Sequence, residues 1–344
     1  MEKGQMIRIL LADDSLLVRT VLRDALAGMA DMEVVGEASN GAEALAIAEE
    51  LRPSIIIMDI LMPVMGGLEA TEAIMARAPT PILILSATLE ENDVKLAFSA
   101  IKKGALDVMG KPSAVLHDDR EFFERLVEKI RLLSRIRVIH HMNRQRSRQA
   151  QPVARPENRR SILAIGASTG GPKAVMSIVR SLPADFRGTV FVVQHIASGF
   201  ARGLAQWLDM ECPLPVRLAE SGQIPREGEV IVAPTDCQML LDGERLILTD
   251  SPPVNCCKPS IDVFFTSLAE SRGAESVGVL LTGMGRDGAQ GLAMLRESGS
   301  ATIVQDEKSS VIFGMPKAAI ALNAADEILP LGEIPAAISR IFSH

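Results

Sequence analysis

The sequence has few of the features that would mark a secreted, metal-scaffolded or nucleic-acid-bound protein. Its 344 residues include four cysteines, and Cys212, Cys237, Cys256 and Cys257 show no C-x-x-C spacing. They therefore read as reduced packing residues, not as a disulfide framework or a structural zinc site. Aromatic residues make up 3% of the chain, with no aromatic RNA-binding pattern and no helix-turn-helix. The net charge is −7, whereas nucleic-acid binders usually carry a basic face. No nucleic-acid partner is expected. Long apolar runs are also missing: Ser54-Ile-Ile-Ile-Met58 and Pro81-Ile-Leu-Ile-Leu85 fall far short of the ~18 residues of a membrane span. Asp13 and Asp14 cut off the first apolar stretch before it could act as a signal-peptide core. The expectation is a cytoplasmic protein with no membrane insertion.

What is present is strand and helix in regular turn. From Met6 to about Leu133, short β-branched runs at Ile7–Leu11, Glu33–Ala38, Ile55–Met58, Pro81–Ser86 and Ala105–Met109 alternate with segments of helical spacing such as Leu16–Ala27 and Gly41–Leu51. That alternation predicts a parallel sheet covered on both faces. Arginine and glutamine then crowd residues 131–160, which read as a basic, flexible linker. Beyond it the pattern resumes, with strands expected at Ile162–Ile165, Thr189–Val193, Glu229–Ala233, Ser276–Leu281 and Ala301–Val304. The fold class is thus α/β, with two doubly wound parallel-sheet domains.

In such sheets the ligand crevice lies outside the carboxyl ends of the strands. Asp13 and Asp14 follow the first strand, Asp59 the third, Ser86 ends the fourth and Lys111 follows the fifth. Clustered carboxylates repel each other, and a hard cation such as Mg²⁺ would relieve that and bridge to a phosphoryl oxygen. A lysine and a hydroxyl nearby complete a site for a phosphoryl group.

With these residues in place, "ILLADDS", "IIIMDILMPVMGGLEA", "ILILSA" and "GALDVMGKP" make residues 5–130 resemble the flavodoxin-like receiver domain of bacterial two-component response regulators. The resemblance implies Asp59 as phosphoacceptor, with Asp13 and Asp14 joining it as Mg²⁺ ligands. It implies Ser86 and Lys111 as the phosphate-sensing pair, and a histidine kinase as phosphodonor. Many receivers carry an aromatic switch residue three positions before the lysine. Here that position is Val108, so ring rotation cannot be the signal.

In the second half, Gly166-Ala-Ser168-Thr-Gly170 follows an apolar run and precedes a helix-like stretch. Read alone it is either a serine nucleophile on a tight elbow or a glycine loop that cradles a phosphate. A nucleophilic serine needs a base. Of five histidines, His117 lies in the first half, His140 and His141 in the linker and His344 at the end of the chain. His195, at the end of the run Gly188–Gln194, remains. An orienting carboxylate is the third requirement, and Asp287 is the one acid in Thr282-Gly-Met-Gly-Arg-Asp-Gly-Ala289. The order Ser…His…Asp differs from that of α/β-hydrolases, which favours convergence on a triad over membership of that fold.

"AIGASTGGPKA", "VVQHI", "VAPTD", "KPSIDVFFTSLAE", "VLLTGMGRDGAQGL" and "QDEKSSVIFGMPKAAI" make residues 161–344 resemble the Rossmann-like, three-layer catalytic domain of chemotaxis-type protein-glutamate methylesterases. The resemblance implies Ser168 as nucleophile, His195 as general base and Asp287 as its partner, with backbone N–H groups near Thr169 and Met284 as oxyanion donors. It implies no cofactor for the ester chemistry, methylated helices of chemoreceptors as substrate, and deamidation of certain receptor glutamines. It further implies that the unphosphorylated receiver covers the cleft and that phosphorylation loosens it. Lys258 stands where an arginine is common before "PS" and cannot make a bidentate fork. Two rival readings are an output module that binds DNA or a nucleotide, and an esterase for small molecules.

Overall fold

The computed structural model describes residues 6–86, 91–111, 120–136 and 160–343. Most of the expected linker lies outside these residues, as do His117, His140, His141 and His344. The chain divides into two compact units, Met1–Met142 and Asn143–His344. Among the described residues, no helix is long and apolar enough to cross a membrane.

The first unit runs β1 Ile7–Ala12, α1 Leu16–Ala27, β2 Met32–Ala38, α2 Gly41–Leu51, β3 Ile55–Asp59, α3 Gly67–Arg77, β4 Ile82–Ser86, α4 Glu91–Lys103, β5 Asp107–Gly110 and α5 Arg120–Leu133. Its five strands are all parallel, in the order β2-β1-β3-β4-β5. Central strands of such a sheet are covered on both faces, which explains why β3 and β4 are buried at every residue and apolar up to their last residues, Asp59 and Ser86. Local signals start the helices. Ser15 caps α1 by accepting from the Val18 N–H, and Asn40 caps α2 by accepting from the Glu43 N–H.

The second unit runs β6 Ile162–Ala167, α6 Gly171–Val179, β7 Thr189–Gln194, α7 Phe200–Glu211, β8 Val216–Leu218, β9 Val230–Val232, β10 Gln238–Asp242, β11 Arg245–Thr249, α8 Ile261–Arg272, β12 Ser276–Leu280, α9 Ala289–Glu297, β13 Ala301–Gln305, α10 Met315–Ala321, β14 Glu327–Leu329 and α11 Ile334–Phe342. Seven parallel strands form one sheet in the order β14-β13-β12-β6-β7-β9-β8, and β10 and β11 form a separate antiparallel hairpin. A core of Phe191, Phe264, Phe265, Leu268, Leu280 and Leu292 joins the sheet to α8 and α9. The rings of Phe191 and Phe264 lie 5.1 Å apart.

The chain leaves β6 toward β7, β9 and β8, then returns to β12 on the other side of β6 before continuing to β13 and β14. The strand order therefore reverses between β6 and β12, and a crevice opens at their carboxyl ends. In the first unit the same reversal lies between β1 and β3. Both sequence-derived sites sit at these two points.

Candidate active site

Ser168 follows β6 directly, and the turn that carries it is built for close approach. Its N–H donates to the Thr282 carbonyl at 3.0 Å, and its carbonyl accepts from Gly171 N–H at 2.8 Å as α6 begins. Gly170 has φ +76°, and a Cβ there would come within 2.6 Å of Val311. Conformation and space thus both require glycine. Across the crevice, a Cβ on Gly283 would meet the Ser168 Cβ at 2.7 Å and the Met315 sulfur at 2.2 Å. These constraints fix a tight turn at Ser168 between β6 and α6.

His195 follows β7, and its backbone N–H donates to the Ala167 carbonyl at 2.9 Å. Gln194 ties the two segments together: its Nε2 donates to the carbonyls of Ser168 and His195, each at 2.8 Å. The His195 ring is turned so that Nε2 meets Asp287 Oδ2 at 2.9 Å. Nδ1 then faces away from Asp287, and Cys257 Sγ lies 3.6 Å from it. Burial pushes the Cys257 thiol up to about 12, reinforced by Asp287 and other nearby acids, so it is protonated at neutral pH.

Asp287 is 2% exposed and heavily hydrogen-bonded. Besides His195 it accepts from Ser260 Oγ at 2.7 Å, Ile261 N–H at 2.6 Å, Asn255 Nδ2 at 3.1 Å and Asp262 N–H at 3.3 Å. Ser260 is the N-cap of α8, so the carboxylate faces the positive end of that helix. Burial alone would raise the Asp287 pKa, but the bonds from His195, Ser260 and Asn255 and the charge of His195 hold it below its ordinary value. Asp287 is a buried carboxylate in direct contact with the imidazole. Asp262 goes the other way: burial and the charge of Asp287 raise it, against donors at Gly291 and Asn255.

The structure brings His195 and Asp287 into direct contact and places Ser168 beside them through shared backbone. The Ser168 hydroxyl has no hydrogen-bond partner among the described residues, and a Ser168–His195 bond is not formed. Such bonds often tighten only with substrate in place. Of the expected oxyanion donors, Met284 is half-buried, and its N–H donates to nothing among the described residues. The Thr169 peptide is fixed by Thr282 Oγ1, which donates to its carbonyl at 2.9 Å. Lys258 makes a single-point contact, Nζ to Asp250 Oδ1 at 2.5 Å.

Sequence reasoning missed Gln194, Asn255, Cys257 and Ser260. Gln194 carried a signal as a buried polar residue at the end of an apolar strand, next to the candidate base. Ser260 carried one as a cap residue two positions before Asp262.

In the first unit, Asp13, Asp14 and Asp59 offer carboxylate oxygens within 4.8 Å of one another. Asp13 and Asp59 are buried, while Asp14 is exposed. Lys111 Nζ bridges Asp13 Oδ2 at 2.5 Å and Asp59 Oδ2 at 3.0 Å. Burial raises the Asp59 pKa and Asp13 adds to the rise, while Lys111 and the Ile60 N–H oppose it. An all-oxygen donor set with surplus negative charge fits a hard divalent cation. Ser86 is buried, and its carbonyl accepts the Lys111 N–H at 2.7 Å. Val108 is buried in β5, opposite Ile84 of β4.

Comparison with known proteins identifies the family of each unit. Residues 163–338 match the family described as CheB methylesterase, and residues 9–118 match the response regulator receiver domain. A protein-glutamate methylesterase/protein-glutamine glutaminase from Anaeromyxobacter dehalogenans strain 2CP-C is 43% identical over 97% of this chain and 97% of its own length. One of the same name, from the group 3 operon of Pseudomonas putida strain KT2440, is 42% identical over 98% of this chain and 99% of its own length. Among solved structures, the CheB methylesterase catalytic domain of Thermotoga maritima matches with a TM-score of 0.50 and 34% identity. It covers 54% of this chain and 98% of that one. The chain belongs to the CheB methylesterase family, with a response regulator receiver domain ahead of the catalytic domain.

Proposed function

We propose that the chain is a phosphorylation-regulated serine esterase that hydrolyses glutamate methyl esters on chemoreceptors and deamidates certain of their glutamines. Ser168, His195 and Asp287 are its catalytic triad. The observation that carries this reading is the buried Asp287 carboxylate on His195 Nε2, set beside the Ser168 elbow where the sheet order reverses.

The chemistry follows from that geometry. Asp287 holds the proton on Nε2 and leaves the Nδ1 lone pair free. Ser168 Oγ attacks the ester carbonyl carbon as its proton passes to Nδ1. The tetrahedral oxyanion is held by the backbone N–H groups of Met284 and Thr169, each such donor being worth about 3 kcal/mol in comparable sites. The C–O bond to the methoxy group then breaks, and methanol leaves with the proton from Nδ1. Water attacks the acyl-serine with Nδ1 again as base, which returns a glutamate carboxylate and a free Ser168. With a glutamine side chain the leaving group is ammonia.

In the receiver, Asp59 accepts the phosphoryl group from a histidine kinase, and Asp13, Asp14 and Asp59 would hold Mg²⁺. When bound, the ion supplies positive charge beside the phosphoryl oxygens. Lys111 provides a second cation there, and Ser86 a hydroxyl. With Val108 in place of a ring, the response runs through Ser86 and its neighbouring backbone. A two-state equilibrium shifts only through differential affinity, so phosphate on Asp59 must favour the arrangement in which the cleft is open. The test is release of labelled methanol from methylated receptor membranes with Mg²⁺, with and without acetyl phosphate. Stimulation of wild type and a flat response from Asp59→Asn are expected. No methanol release, combined with fast hydrolysis of simple aryl esters, would overturn the substrate assignment.

A further inference from the structure

Cys257 has no role in the ester chemistry, yet its thiol faces the nitrogen on which that chemistry depends. His195, Cys257 and Asp287 each offer one ligand atom, and the three lie within 4.8 Å of one another. Cys257 Sγ and His195 Nδ1 are separated by 3.6 Å. With Zn–N and Zn–S bonds of about 2.0 and 2.3 Å, two corners of a tetrahedral zinc site lie about 3.5 Å apart. The pair already has the spacing of zinc ligands.

The third residue strengthens the match. A metal-bound imidazole almost always donates its other ring N–H to a carboxylate or carbonyl, which fixes the ring and raises its basicity. Asp287 occupies that position on Nε2 at 2.9 Å and is itself braced by Ser260 and the first backbone N–H groups of α8. The His195 side chain is 14% exposed, so the imidazole is not sealed from solvent.

We propose that His195 Nδ1 and Cys257 Sγ form an inhibitory site for a borderline-soft divalent cation such as Zn²⁺, with Asp287 orienting the imidazole and water filling the remaining positions. On binding, the Cys257 thiol loses its proton to solvent and the metal takes the Nδ1 lone pair. The inhibitory consequence rests on the reading of His195 as base, while the binding itself does not. Hard cations are excluded by ligand type, since Mg²⁺ prefers oxygen. One chain would then carry two divalent sites of opposite effect: an oxygen site in the receiver that supports phosphorylation, and a nitrogen–sulfur site that silences the esterase.

The test uses the full chain in millimolar Mg²⁺, so that the receiver carboxylates are occupied by their preferred ion. Zn²⁺ is titrated against esterase rate, each variant being normalised to its own metal-free rate. Wild type is expected to lose activity and regain it on chelation, and Cys257→Ala to need at least about ten-fold more Zn²⁺. Equal sensitivity of the two proteins would overturn the proposal. Binding is measured separately from turnover with Co²⁺ on the Ser168→Ala protein, by the thiolate-to-metal absorption band. That band should fall by the same increment with His195→Ala or Cys257→Ala added. The His195 variant keeps the test decisive should Cys257→Ala not fold, and an undiminished band in both would refute the site whatever the esterase assay gives.

Discussion

Asp287→Asn separates the charge of this side chain from its shape. Asp287 Oδ2 accepts from His195 Nε2 and Ile261 N–H, and Oδ1 from Ser260, Asn255 and Asp262 N–H. An asparagine has one carbonyl oxygen and one NH₂, so one of these two groups of donors must face another donor. If the NH₂ takes the Oδ2 position, His195 can bond to it only by accepting at Nε2. The ring proton then sits on Nδ1, and the base is lost. If the NH₂ takes the Oδ1 position, it meets the Asn255 amide and the Asp262 N–H, and the imidazolium still loses its counter-charge. The expected loss in kcat is about 10⁴-fold, or roughly 5.4 kcal/mol, as for the same change in another Ser-His-Asp enzyme. Leaving buried donors unpaired should cost about 1–3 kcal/mol of folding stability.

The pH dependence adds a second readout. The native Asp287 pKa is held below its unfolded value, so its stabilising contribution is complete above the unfolded pKa of about 4. It is lost as pH falls through the lower native value. The stability gap between wild type and variant should therefore be full at neutral pH and close in acid. The assays are methanol release and denaturant unfolding across pH. A variant that keeps more than a tenth of wild-type turnover would refute the orienting role.

Three further outcomes are expected. Gln194→Leu removes the amide that holds the Ser168 and His195 carbonyls, and should lower kcat by up to about 10²-fold with little change in KM; steady-state kinetics decide this. Burial raises the Asp59 pKa, so its contribution to stability is full below the unfolded pKa and lost as pH rises through the native one. In metal-free buffer at pH 7, Asp59→Asn should therefore raise the unfolding temperature of the receiver. Mg²⁺ should stabilise wild type by about 2.7 kcal/mol at a hundred times its dissociation constant, and the variant much less, by calorimetry. A chain beginning at residue 160 should hydrolyse receptor methyl esters faster than unphosphorylated full-length protein, and equal rates would remove the occluding role of the receiver.

Ser168, His195 and Asp287 were legible in the sequence because each closely follows the end of an apolar run, and parallel strands bring such ends together. The receiver carboxylates were legible for the same reason. The hairpin β10–β11 was not read, although Asp242-Gly243 between two apolar runs is a turn signal and Gly243 has φ +58°. β8 and β14 have three residues each, too few for a periodic pattern. Ser260 is legible as a helix cap, but its contact with Asp287 is not. Asn255, in left-handed conformation at φ +50°, and Ser260 reach that carboxylate through a tertiary fold that brings positions about thirty residues apart into contact. No sequence pattern tells which imidazole nitrogen faces the carboxylate, and that orientation is what exposes Nδ1 to Cys257.

The most direct test of the central claim is labelled methanol release from methylated receptor membranes by Ser168→Ala beside wild type, with folding of both checked by circular dichroism. The substitution removes one oxygen from a half-buried elbow, so the variant should fold normally. Its turnover should fall by a factor on the order of 10⁶, about 8 kcal/mol of transition-state stabilisation, and adding His195→Ala should lower it little further. A folded Ser168→Ala protein with more than a hundredth of wild-type activity would contradict the account.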